Sequence, residues 1–233
     1  MAASQSFLQS VVDLVDRTTY TFSSQNLGVA AASRRIVVGI GGRIASGTLT
    51  VDSVTIGGVT ATILTPQASN TTSGTTTVAL AIADVPTGTT GDIVVVFNTA
   101  CLRCIVHAYR VVDIDSATPS DSDSSVASNP TCNLDIPAGG IAIGFAAVGN
   151  ASATWTWTGL TEREDAVAGG GEAFGASSAS DDFATLQTGR AITADSTTTT
   201  TTAGVFASWG PAGGANPKGP LSNPFAGPFG GAI

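Results

Sequence analysis

Few residues in this chain could do chemistry. There is one histidine, His107, and there are three cysteines, Cys101, Cys104 and Cys132. Cys101 and Cys104 form a C-x-x-C, a spacing that can serve zinc or a redox disulfide. Zinc takes about four ligands, and His107 is the only further candidate nearby. On a single strand, residues three apart face opposite sides, so the two thiols are expected to point apart. Buried, inert thiols are the expectation, with a disulfide involving Cys132 as the alternative. An odd cysteine count fits a protein made reduced in the cytosol. His107 itself lies inside the apolar run LRCIVHAYRVV. A Ser-His-Asp triad would need it at a cleft, so a buried neutral imidazole is expected instead.

Carboxylates gather twice. Asp113, Asp115, Asp121 and Asp123 in DIDSATPSDSDSSVASNP could chelate calcium. That stretch lacks both the turn glycine and the closing glutamate of an EF-hand loop, so an exposed, solvated loop is expected from Asp113 to Pro130. Glu162, Glu164 and Asp165 in TEREDAVAGGG are the nearest approach to a glycosidase pair. Neighbours in sequence rarely stand at the separation a sugar requires, and this stretch reads as a turn meeting water. Trp155 and Trp157 in TWTWTG share one strand face and could stack on a glycan; core packing or an inter-subunit contact is the other reading. The glycines of GIGGR do not have the G-x-G-x-x-G spacing, and no helix follows them. No acid, base and nucleophile set assembles. The chain is expected not to be an enzyme and to hold neither cofactor nor metal.

The elements that carry these residues read as strands. VDSVTIGGVTATIL alternates apolar and polar residues on both sides of Gly57-Gly58, a pair suited to the positive φ of a tight hairpin. DIVVVF and LRCIVHAYRVV, the most apolar stretches, read as buried strands. TTYTFS, RRIVVGIGG, VALAIADV, the region from Ile136 to Gly149 and the stretches around Thr185 and Val205 continue the pattern, with turns every 8–12 residues or so. Ser6 to Asp16 fits either a helix stripe or an irregular strand. The fold expected is an all-β, antiparallel, jelly-roll-like β-sandwich over residues 1–209. Residues 1–17 are an N-terminal segment suited to contacting partners.

From Gly210 the composition changes. GPAGGANPKGPLSNPFAGPFGGAI is half glycine and proline, which suits neither a helix nor an inner strand. An extended C-terminal arm over 210–233 is expected, with Leu221, Phe225, Phe229 and Ile233, four apart, as anchors for a partner.

The totals narrow the function. Of 233 residues, 42% are hydrophobic and only 11% charged, against roughly 25% in an ordinary domain. The net charge is −8, with a single lysine, Lys218, and one adjacent basic pair, Arg34-Arg35. Phosphate neutralisation needs clustered cations, so neither nucleic acid nor an anionic membrane surface is an expected partner. MAASQSFLQSVVDLVD has no basic start and is interrupted by Asp13 and Asp16, so no secretory signal peptide is read there.

RRIVVGIGGR, VDSVTIGGVTATIL, VPTGTTGDIVVVF and CLRCIVHAYRV, with TEREDAVAGGGEAFGASSASDDF and VFASWGPA, resemble a β-sandwich module of accessory virion proteins in tailed bacteriophages and gene transfer agents. The likeness runs from about Thr18 to Ala212 and rests on strands and turn glycines. It implies a non-enzymatic structural virion protein, a capsid decoration or head-fibre (spike) protein on the outside of a phage-like particle. The alternative it implies is a tail-associated adhesin that binds a host receptor or glycan. Its expected partners are other virion proteins (the major capsid protein or tail components) and further copies of itself as a homo-oligomer, with a host-surface glycan as an additional one. Its expected location is the virion, reached from the host cytoplasm.

Overall fold

A computed structural model describes residues 1–64, 66–71, 74–198 and 200–213. Every regular element there is a strand, and every strand pairing is antiparallel. The first half of the chain holds β1 (Ser4–Asp13), β2 (Arg17–Asn26), β3 (Arg35–Ile44), β4 (Val51–Ile56), β5 (Val59–Thr60), β6 (Thr62–Ile63), β7 (Ala68–Asn70), β8 (Thr75–Asp84), β9 (Thr90–Cys101) and β10 (Arg103–Val112). The second half holds β11 (Asp121–Ala127), β12 (Thr131–Ile136), β13 (Gly140–Val148), β14 (Trp155–Thr158), β15 (Thr161–Ala168), β16 (Phe174–Phe183), β17 (Gln187–Ser196) and β18 (Thr202–Trp209).

These strands build four sheets, two from each half. In the first half an inner sheet runs β1-β10-β3-β8-β6, with β7 also on β8, and an outer sheet runs β2-β9-β4-β5. In the second half the inner sheet runs β11-β18-β13-β16-β15 and the outer one β12-β17-β14. Counted from the start of each half, the orders agree. First, last and third strands sit side by side in the inner sheet, and second, penultimate and fourth in the outer. The chain has thus traced one path twice, with residues 113–120 between the tracings.

The sheets stack outer, inner, inner, outer, with three cores between them. Tyr20, Ile36, Val38, Ile40, Ile93 and Phe97 fill the first. Val37, Leu80, Tyr109, Ile143, Phe145 and Trp209 fill the middle one, the seam between the halves. Leu134, Ala142, Val148, Trp157, Ile192 and Phe206 fill the third. An inner strand is therefore covered on both faces, which is why β3, β8, β13 and β18 carry almost no charge and are buried nearly throughout. A sandwich strand with one wet face would alternate instead. Across the seam β3 lies on β13, while β1 lies on β15 and β7 on β11. The strand orders run in opposite senses, as an approximate two-fold relation between the halves requires.

Several local expectations change in this setting. TEREDAVA is not a turn but the edge strand β15, and DSDSSVA within the expected acidic loop is the edge strand β11. Each pairs with a single neighbour, so polar and acidic side chains remain hydrated along it. β3 runs through the glycines of RRIVVGIGG to Ile44, and the ambiguous N-terminal stretch is the edge strand β1. The Gly57-Gly58 hairpin forms as expected, with φ of 59° and 80°. The arm residues 214–233 lie outside the described residues.

Arg34 fixes one end of the stack. It is 1% exposed and has no acid partner among the described residues; its guanidinium donates only to backbone carbonyls. Nε reaches Val85 O at 2.6 Å, Nη1 reaches Leu27 O at 3.1 Å and Gly28 O at 2.8 Å, and Nη2 reaches Thr87 O at 2.6 Å and Gly88 O at 2.8 Å. The two loops joined this way, after β2 and after β8, also share two backbone bonds, Leu27 N to Thr89 O at 2.8 Å and Val85 N to Arg34 O at 3.2 Å. Arg34→Met should leave these carbonyls without donors and lower the unfolding free energy by roughly 3 kcal/mol or more in a urea titration. Arg34→Lys, with a point charge in place of the planar fork, should recover only part of the loss. A loss under about 1 kcal/mol for the methionine variant would mean that the loops hold themselves.

Candidate functional site

His107 is the first residue to place. It stands on β10 facing the seam, fully buried. Its Nδ1 lies 2.7 Å from Ser178 Oγ on β16, and Tyr109 OH donates to the same oxygen at 2.6 Å. The rings of Phe7 and Phe145 meet the imidazole edge-on, at 5.8 Å and 5.2 Å. Nε2 has no hydrogen-bond partner among the described residues. Burial lowers its pKa from 6.5 to about 3. A serine and a histidine in contact suggest a nucleophile, but both are closed off from solvent and substrate. The cluster is a polar rivet between two sheets.

The acids of β15 do not converge. A bulge at Arg163 breaks the register between Glu162 and Glu164. Glu164, opposite Ser178, turns to the seam edge, where Ser10 Oγ donates to it at 3.4 Å. Glu162 shares the other face with Asp165; partial burial first, and then the charge of Asp165, raise its pKa. Arg163 donates to Ser180 Oγ at 2.9 Å and Ser180 O at 2.8 Å, and pairs with Asp181 at 3.5 Å. The four aspartates of the other acidic stretch are spread between the inter-half link and β11. Asp113 accepts from Ser33 Oγ at 2.6 Å, and Asp121 from the Asp135 amide at 2.9 Å. No group of three or more His, Cys, Asp or Glu among the described residues could hold a metal ion.

The cysteines depart from the expected geometry. The chain crosses from the outer sheet to the inner one at Leu102, between the end of β9 and the start of β10. Cys101 and Cys104 consequently point into the same core rather than to opposite faces. All three cysteines are free and buried. Cys101 Sγ donates to Arg103 O at 2.9 Å, and burial pushes its pKa up to about 11. Burial also raises Cys104 and Cys132, the latter in the third core, two sheets away from the others. Since the thiolate is the reactive form, a thiol reagent at neutral pH should modify none of the three in the native protein and all three after denaturation. Rapid native labelling of Cys101 or Cys104 would contradict this placement.

Trp155 and Trp157 lie in the third core, 6% and 9% exposed. Trp157 Nε1 donates to Ser177 Oγ at 2.8 Å, and its ring packs on Gly144 and edge-on against Phe206. A ring committed in this way presents no open face to a sugar. The outer sheets carry rows of hydroxyl and methyl groups among exposed charges such as Asp52, Asp92 and Asp195: Thr131, Thr193 and Thr158 stand in one cross-strand row, and Thr21, Val94, Thr55 and Thr60 in another.

The surface feature with shape lies at the end of the stack where β1 begins and β18 ends. A cleft of about 360 Å³ is bounded by Ala2, Ser4, Gly139, Asp182, Phe183 and Ala184. The Ala3 amide donates to Gly139 O at 2.8 Å, and Pro211 packs beside Gly139, so residues 2 and 213 lie at the same end of the stack. Asp182 on the rim accepts from the Gln5 amide at 3.2 Å; partial burial raises its pKa against that bond. A second cleft, about 270 Å³, lies between β6 and Thr118–Pro119. Among the described residues, neither is lined by histidine, cysteine or lysine. Strand patterning gives no sign of the first cleft, because pairing at a distance assembles it. Leu221, Phe225, Phe229 and Ile233, the expected partner anchors, lie outside the described residues.

These features define a class, an all-β stack of antiparallel sandwiches whose reactive groups are turned inward. Compared with protein-family models, curated proteins and solved structures, the chain matches none.

Proposed function

We propose that this chain is a non-enzymatic structural virion protein, a decoration or head-fibre protein on the outer surface of a phage-like capsid. The observation that carries the reading is the strand order traced twice. First-last-third-sixth in the inner sheet (β8 being sixth in the first half once the short β5, β6 and β7 are counted as one) and second-penultimate-fourth in the outer is the winding of a jelly roll, and we read each half as one. In the second half the fifth strand, β15, joins the sixth; in the first half the short strands β5, β6 and β7 share that position between the two sheets. Jelly rolls recur in viral capsid proteins and in lectins. A shared fold alone carries no function, so the chemistry has to agree with it. The buried thiols, the buried imidazole and the divided acids suit a protein that builds rather than one that turns over a substrate. A net charge of −8 suits an outer surface better than contact with packaged DNA. The buried indoles weaken the glycan-binding alternative.

Attachment in this reading runs through residues 214–233 to the capsid or to neighbouring copies, from the end of the stack where residue 213 lies. Deleting Gly219 to Ile233 should leave the melting temperature within a few degrees of the full chain. Co-sedimentation with particles should be lost. Undiminished co-sedimentation of the truncated chain would move the attachment surface onto the stack. Absence of the protein from purified particles would defeat the virion reading altogether.

A further inference from the structure

We propose that the seam between the two halves is a proton-sensitive joint, with His107 as the group through which acid opens it. This inference is independent of the virion reading.

The construction of the seam makes it a joint. Among the described residues no β-ladder crosses it, since every inner and outer sheet is built from one half alone. Side chains and rim bonds hold it, among them Ala3 N to Gly139 O at 2.8 Å, Ser180 Oγ to Gln5 Oε1 at 2.9 Å, Arg103 Nε to Gly169 O at 3.1 Å, and Arg43 with Glu172 at 3.1 Å. At one end the single bridge of Ile114 with Pro211 adds to them, where Ala212 N donates to Asp113 O at 2.7 Å and Asp115 N to Gly210 O at 3.0 Å. Each half keeps a second core of its own beneath its outer sheet. Parting at the seam therefore exposes one core and spares two.

His107 faces that core from β10, fully buried, opposite Gly39 of β3. The elements packed against it offer little to a cation. β1 presents Phe7, β13 presents Phe145, and β16 presents the uncharged Ser178. On its own strand the titratable neighbour is Tyr109, already engaged with Ser178. The charged groups of β15 stay at the seam edge, Glu164 with Ser10 and Arg163 with Ser180. Further along β16, Asp182 is turned to the Gln5 amide. An imidazolium here would carry an Nε2–H with no acceptor among the described residues, in a setting where an unpaired charge is costly. Water reaches it only when the sheets separate.

The sign follows from the burial. The folded pKa, about 3, lies below the ordinary 6.5, so between these values the opened form binds the proton and the closed form does not. Stability at the seam is fully present above about pH 6.5 and is lost progressively as the pH falls towards 3.

Hydrogen exchange read by mass spectrometry on the full chain tests this as the pH is lowered. The expected result is that amides of β10, β13 and β16 lose protection first, while β2, β9, β12 and β17 stay protected. His107→Phe and His107→Gln cannot take up the proton and leave the rim carboxylates untouched. Each should shift seam opening down by about one pH unit or more. If the phenylalanine variant does not fold at neutral pH, the glutamine variant carries the comparison. Seam opening at the same pH in wild type and variant would overturn the proposal. So would simultaneous loss of protection in all four sheets of the wild type.

Discussion

Two inner sheets, each already covered on its outer side, meet face to face, and the rest of the structure follows from that contact. The contact is tight where Phe145 lies over Gly39. A methyl group at Gly39 would fall 2.5 Å from the Phe145 ring, and one at Gly41 would fall 3.0 Å from Phe174. The aromatic rings of one half thus occupy space that the other leaves free by having no side chain, the complementarity that close-packed interiors require. The same device recurs in the third core, where Trp157 lies on Gly144. Strands buried on both faces carry little charge (Arg43 of β3 is paired with Glu172), which accounts for much of the low charged content. The charge that remains is placed at edges and rims or, as with Arg34, enclosed by carbonyls.

Much of this was legible locally. The Gly57-Gly58 hairpin, the strands of RRIVVGI, VALAIA and DIVVVF, and the burial of His107 follow from residue type and alternation. The doubling was not legible, because the halves share a strand order and not a sequence. The second half has TWTWT and the first has VDSVTI at the corresponding fourth strand. Edge strands were the other blind spot. TEREDAVA and DSDSSVA look like loops because a strand with one neighbour need not be apolar. The cysteines misled for a related reason. Counting faces along one strand fails where the chain changes sheet at Leu102. Arg34 gave no signal either, since its partners are backbone carbonyls and any sequence supplies those.

The same architecture bears on chemistry. Groups that could react are spent on cohesion: Ser178 receives Tyr109 and meets His107, Ser177 holds Trp157, and the thiols face inward. Outside, the outer sheets carry rows of threonine beside exposed charges such as Asp52, Asp92 and Asp195, with a cleft at the end where residues 2 and 213 lie.

The account depends on the seam being a specific fit between the halves. A double-mutant cycle in urea on Gly39→Ala and Phe145→Leu measures that fit most directly. Gly39→Ala should destabilise the wild type, and the smaller leucine side chain in place of Phe145 should relieve much of that effect. A coupling energy of about 1 kcal/mol or more is predicted. Effects that add to within about 0.5 kcal/mol would show that the two residues do not meet, and would contradict the stacked arrangement.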